Sequence, residues 1–218
     1  MENQVRRERH LHFSMTVAGG ILGGCAITLH FQFGSAQTNN ILLMIAAALA
    51  VNLGEVLLRL AALFIYVGGL SFCTYLKCKF KFDLRLKAIC FEIIVLLMTG
   101  FLPPPPHHLI ALFPYFLVTS VQWSFFAGIK EYPCSSIFIT NNLRICVSEI
   151  AEFVYDRDVS HLIKSRFYAV SIGWYFLGVT SVFLTVPLLG SRSLLLCTLP
   201  LSSALLNICS INKVLPDN

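Results

Sequence analysis

Charge is what this 218-residue sequence has least of. Asp, Glu, Lys and Arg together make up 12% of the chain, about half the charged share of an average soluble domain. A soluble fold of this length needs a charged shell around its core, and there are too few charges to build one. The chain also lacks the signatures of common catalysis. It has no nucleophile elbow, phosphate-binding Gly-Lys loop, zinc motif or GxGxxG run, so no enzyme activity is expected. None of its eight cysteines forms a CxxC pair, and most lie in apolar stretches. Cysteine packs there as a small hydrophobe, and no metal or other cofactor is expected. The net charge of +5 comes from short basic patches between apolar blocks rather than from a basic helix with interleaved aromatics. Nucleic acid is therefore not an expected partner.

What the sequence does have is apolar residues, 56% of the total, gathered in blocks. That pattern belongs to helices that cross a bilayer. Eight blocks fall near residues 11–32, 38–53, 55–77, 86–102, 108–128, 138–155, 166–187 and 193–211. Pro103–Pro106, Pro133, Pro187 and Pro200 mark or bend their ends, because proline cannot continue a helix. The basic start before block one also fits a signal peptide, with Gly34-Ser35-Ala36 as its cleavage site. The length of the block and the spans that follow favour a first helix that stays attached.

Blocks two and six differ from the others. Each opens on polar residues and carries about ten to twelve strongly apolar ones, short of the roughly 20 a full span needs. If all eight blocks spanned and the N-terminus were cytoplasmic, the most basic loop (Lys77, Lys79, Lys81, Arg85, Lys87) would fall outside. If the two short blocks enter and leave on one side, that loop moves inside with Lys130 and the Arg157–Arg166 stretch. Pro103–His108, which lacks Lys and Arg, then falls outside, as the positive-inside rule requires. The expected fold is an all-α polytopic membrane protein, one membrane domain over residues 1–218. It would have six spans, two shorter re-entrant or half helices, and a cytoplasmic N-terminus.

The short blocks begin alike, Thr38-Asn39-Asn40-Ile41-Leu42 and Thr140-Asn141-Asn142-Leu143-Arg144. Each copy opens the second block of a four-block set, which points to repeat halves at about 11–102 and 108–211. Three spans per half make the halves inverted. Helix N-termini carry free amides and the positive dipole end. Two of them facing each other near the midplane would suit a small polar or anionic solute, with Arg144 adding positive charge. The alternative is that these runs are capping turns whose asparagines satisfy backbone groups between packed helices.

At these residues the sequence resembles the YoaK-like family of small bacterial membrane proteins, whose function is not established. Gly20, Thr38 and Asn40 match the family pattern in the first half, and Gln122, Thr140, Leu143 and Arg144 match it in the second. Gly23 stands where the pattern has an acidic residue, Ser120 and Trp123 flank Gln122 in place of Gly and Asn, and Asn39 and Asn141 replace glycines. The resemblance implies a bacterial inner-membrane location and names no substrate. The expected site is Thr38, Asn39, Asn40, Gln122, Thr140, Asn141, Asn142 and Arg144. The expected role is a transporter or channel for a small polar or anionic solute, or else a membrane subunit that scaffolds partner proteins. The expected partners are lipid, that solute and a second copy of the chain. Gly19-Gly20, Gly23-Gly24, Gly68-Gly69 and Gly173/Gly178 should permit close helix contacts, with the first stripe alternatively making room for a short helix. Glu55 and Arg59 should pair across one helical turn.

Overall fold

Helices follow the apolar blocks closely. In the computed structural model, residues 2–30, 32, 37–80, 82–103, 105, 107–129 and 132–214 are described. Gly34–Ala36, Lys81, Pro104, Pro106 and Lys130 lie outside them. Helix α1 (Glu2–His30) is followed by the short α2 (Gln37–Leu49), then α3 (Leu53–Lys79) and α4 (Arg85–Phe101). Block five divides into α5 (His108–Ala111) and α6 (Phe113–Phe125). Pro114 lies in the first turn of α6, where its missing N–H costs nothing. A small antiparallel pair, β1 (Gly128–Ile129) and β2 (Tyr132–Pro133), leads to α7 (Ile139–Asp156) and the long α8 (Val159–Leu189). Pro187 lies in the last turn of α8, two residues before the helix ends. A 3-10 segment (Gly190–Cys197) then joins α9 (Thr198–Val214).

Among the described residues, four helical stretches are long and apolar enough to cross a membrane: Gln4–His30, Leu53–Lys79, His108–Phe125 and Val159–Ile211. The last covers α8 through α9. Large apolar side chains such as Phe64, Phe72, Val154, Leu184 and Leu188 face outward. In water such a surface would be a liability, whereas lipid accepts it.

Lipid tails are as apolar as leucine, so helices in a bilayer associate mainly through close packing and hydrogen bonds. The packing here meets that need at two crossings. Helix α1 packs along α8 and α9, and α6 packs along α3. At the α1–α8 crossing, a Cβ on Gly20 would stand 3.2 Å from the Cα of Gly178, and one on Gly178 would run into the carbonyl oxygen of Val17. At the α3–α6 crossing, a Cβ on Gly69 would run into the Ser120 side chain. Gly19 gives way to the Ser136 carbonyl, in the segment leading to α7, so the first glycine stripe serves both a helix crossing and a short helix. Gly68 and Gly173 have open space beside them. Helix α4 packs on α6, α9 and the 3-10 segment, while α2 lies against α3 and α7 against α8.

Both short helices close in a left-handed residue that is not glycine. Val51 has φ 57 and Arg157 has φ 62. The next residue in each case caps the following helix: Asn52 Oδ1 accepts from the Glu55 N–H, and Asp158 Oδ1 accepts from the Ser160 N–H. A β-branched residue in this region is strained, so Val51 needs the surrounding turn to hold it. The N–H groups of Val51 and Asn52 donate back to Ala48 and Ala47, the double closure of a Schellman motif.

One end of the bundle gathers Arg7, Lys77 and Arg85. Arg85 at the start of α4 pairs with Glu8 of α1 at 2.6 Å and with Asp83 at 2.8 Å. Arg7 donates to the Ser210 carbonyl, and Lys77 donates to that of Ser124.

Candidate functional site

The eight residues singled out by the sequence separate into two groups and a remainder. Asn40 is buried on α2. Its Nδ2 donates to the Arg59 carbonyl at 3.0 Å and to Gln37 Oε1 at 3.3 Å. Arg59 is itself buried. It donates twice to Glu55 Oε1, at 2.9 and 2.6 Å, and once to Gln32 Oε1 at 2.9 Å. The Glu55–Arg59 pair therefore forms as its spacing requires, and it sits inside a larger polar cluster. That cluster is not fully satisfied. Asn40 Oδ1, Gln32 Nε2 and Gln37 Nε2 are buried without a hydrogen-bond partner among the described residues.

The second group joins Gln122 to Asn142 through consecutive serines. Gln122 Nε2 donates to the Met15 carbonyl at 2.7 Å and to Ser136 Oγ at 3.1 Å. Asn142 Nδ2 donates to the Ser135 carbonyl at 2.7 Å, and its Oδ1 accepts from the Ser135 N–H at 3.0 Å. Ser135 Oγ accepts from the N–H groups of Ile137 and Phe138, which fixes the start of α7. Gln122 Oε1 is the one polar atom of this group's asparagine and glutamine left buried and unpartnered among the described residues. The hydrogen bonds of the two groups share no residue.

Of the remainder, Asn39 is half-buried, while Thr38, Thr140, Asn141 and Arg144 are exposed. Thr38 and Thr140 lie within the first turn, because α2 begins at Gln37 and α7 at Ile139. Arg144 reaches back one turn to Asn141 Oδ1, at 3.2 and 3.4 Å.

Two cavities lie elsewhere. One of about 450 Å³ opens at the end opposite Arg85 and Lys77, lined by His30, Thr99, Tyr115, Ser191 and apolar side chains including Met98 and Leu194. A second, of about 340 Å³, is lined by α3, α4 and α6, with Cys73 and Lys87 on an otherwise apolar wall. None of the eight residues lines either one.

Sequence reasoning passed over one charged residue in the centre. Glu92 on α4 is 0% exposed, and neither carboxylate oxygen has a hydrogen-bond partner among the described residues. Its signal was its place in the stripe Ala88, Ile89, Glu92, Leu96, all buried, at the spacing of one helix face. Near the α7–α8 turn, Glu149, Glu152 and His161 bring three ligand atoms within 4.8 Å of one another. Glu149 is already held by Lys164 and by His161, the latter at 2.8 Å. A divalent ion there would have to displace the ammonium, so the group reads as an ion-pair network.

Helices of membrane length, an outward apolar surface and polar clusters kept inside define a polytopic all-α membrane protein. The chain belongs to the DUF1275 family, described as proteins of unknown function, which it matches over residues 11–206. YoaK-like proteins belong to that same family. No curated protein and no solved structure matches the chain.

Proposed function

We propose that the protein is a transporter of a small polar or anionic solute, built from two inverted halves of three spans and one half-helix each, with its N-terminus cytoplasmic. The observation that carries this reading is the incomplete polar cluster at the opening of α2. Buried polar groups are normally satisfied, yet two donors and one acceptor beside the buried guanidinium of Arg59 have no partner among the described residues. Amide donors beside an Arg59 guanidinium that Glu55 already pairs suit a polar solute, or an anion that competes with Glu55 for the guanidinium.

Support for the halves comes from the packing. Exchanging α1 with α6, α2 with α7, α3 with α8 and α4 with α9 turns the α1–α8 contact into α6–α3 and α1–α9 into α6–α4. The same exchange relates the α2–α3 and α7–α8 hairpins, and maps the α4–α9 contact onto itself. The paired left-handed turns at Val51 and Arg157, each followed by a capping Asn or Asp, fit it too. Inverted halves with a site near their interface are a common transporter plan. The inward orientation of the N-terminus rests on the basic end formed by α1, α3 and α4.

A second reading, a scaffold that holds partner proteins, is favoured by the Asn142 opening, where both amide atoms are taken up by the Ser135 backbone. The test is flux into proteoliposomes after a concentration step of chloride, formate, phosphate or alanine. Transport predicts flux of at least one, abolished by Asn40→Leu or Asn142→Leu in protein that still inserts. Absence of flux for all four, with a stoichiometric protein partner retained in mild detergent, replaces transport with the scaffold.

A further inference from the structure

Helix α4 buries a carboxyl that has no partner among the described residues. Glu92 lies on one buried face with Ala88, Ile89 and Leu96, residues of the apolar core to which α6 and α9, packed against α4, also contribute. Among the described side chains of the elements packed against α4, the one cation is Arg192 on the 3-10 segment, which is exposed. Cys73 on α3 and Cys197 at the end of the 3-10 segment are near enough to feel its charge. Helix α6 adds Tyr115 and α9 adds Cys209, and neither helix has a charged residue among its described side chains. On α4 itself, Arg85 is engaged by Glu8 and Asp83, and Lys87 lies over the Phe82 ring at 4.6 Å. No cation neutralises Glu92, and no donor bonds to its oxygens, among the described residues.

An ionised carboxylate in that setting is prohibitively unstable, and such a group takes up a proton instead. We propose that Glu92 is a proton-binding site: a neutral acid while α4 is closed against α6, α9 and the 3-10 segment, which ionises when that seam parts and water reaches it. The proton leaves to water on opening and returns on closing, so any movement at this seam is linked to one proton. A carboxyl with only a packing role is a poor fit, because leucine would fill the same space without a buried polar group. Proton binding at Glu92 stands apart from the solute reading, since it concerns a different helix and is measured without any solute.

The experiment is infrared difference spectroscopy on the full chain in lipid nanodiscs, in water and in heavy water, at neutral and at alkaline pH. The expected result is a protonated-carboxyl band at neutral pH that shifts in heavy water and is lost in Glu92→Gln. Raising the pH should remove the band as hydrogen exchange of the α4 amides over residues 88–96 rises relative to Glu92→Gln. Glu92→Asp keeps the acid and moves the band, so the assignment survives if the Gln variant does not insert. Absence of the band in wild type means an ionised Glu92 and overturns the proposal. A band that persists at every pH until the protein unfolds shows a sealed packing group and overturns it equally.

Discussion

The α2–α3 and α7–α8 hairpins share a three-letter opening and a turn, but the shared letters do different work. Asn40 reaches across to the carbonyl of Arg59, nineteen residues on. Asn142 turns back to Ser135 in the segment before its own helix. The contact in the second hairpin that corresponds to Asn40–Arg59 is made by Cys146, whose thiol meets the Ser165 carbonyl at 3.5 Å, also nineteen residues on. Counting back from the left-handed turns at Val51 and Arg157 gives the same pairing, Asn40 with Cys146. The Thr-Asn-Asn identity is therefore one helical turn out of register with the packing, and α7 is correspondingly the longer helix, 18 residues against 13. The difference teaches that position relative to the turn sets a residue's role in these hairpins, while sequence identity at the helix start does not.

The largest expected effect tests the crossings that hold the two hairpins in place. Gly178 of α8 faces the backbone of Val17 and Gly20, which cannot retreat without unwinding α1. Gly69 of α3 faces the Ser120 hydroxyl, a side chain that can turn aside. Gly178→Leu should abolish the folded state, seen as loss of the monodisperse species in detergent. Gly178→Ala should cost about 1–3 kcal/mol by overpacking, and Gly69→Ala less, measured as reversible unfolding in mixed detergent. Gly173→Leu should be near neutral, since nothing stands within 4 Å of it. Equal losses at Gly69 and Gly178 would erase the difference between the two crossings.

Next in size is Arg59 of α3, buried beside the opening of α2, where the opening of α7 has only the exposed Arg144. Arg59→Met removes three hydrogen bonds and strands Gln32 and Glu55. Breaking a buried pair costs about 3–5 kcal/mol, and the low end applies because Glu55 remains 29% exposed. Arg144→Met, at the exposed start of α7, should fall within about 0.5 kcal/mol of wild type. Thermal unfolding of the two variants side by side checks this. A destabilised Arg144 variant would show that the two openings carry comparable charge roles after all.

Most helix positions were legible from the chain because apolar blocks and prolines are local signals. The expected blocks 38–53, 55–77, 86–102 and 138–155 lie within a few residues of α2, α3, α4 and α7. Block seven was read short, since its polar first turns, around His161 and Lys164, are stabilised by Glu149 on the neighbouring helix and not by apolar periodicity. Less of the candidate site could be read. The burial of Asn40, Asn142 and Gln122, the exposure of Arg144 and the isolation of Glu92 all depend on which helix lies opposite. A sequence pattern gives the face a residue occupies on its own helix and leaves the neighbour across from it open.

The smallest effect lies in the two caps, where the hairpins differ by one atom type. Asn52 caps α3 with a neutral amide, while Asp158 caps α8 with a carboxylate. The hydrogen bonds from Ser160, the backbone N–H first, hold the Asp158 carboxyl below the usual carboxylate range. A group whose folded value is depressed stabilises fully above its unfolded value, about 3.9 for Asp. That contribution is lost as the pH falls through the lower folded value. Acidification should therefore loosen the first turn of α8, read as amide protection at Ser160 after correction for intrinsic exchange. The loosening should be smaller in Asp158→Asn, because asparagine accepts the same hydrogen bond without a titrating group. The first turn of α3 also holds a carboxylate, Glu55, paired with Arg59, so its cap is tested by the variant: Asn52→Asp should enlarge the acid response at Glu55. If Asp158→Asn loosens as much as wild type, the acid response comes from elsewhere in the bundle and the caps do not distinguish the two hairpins.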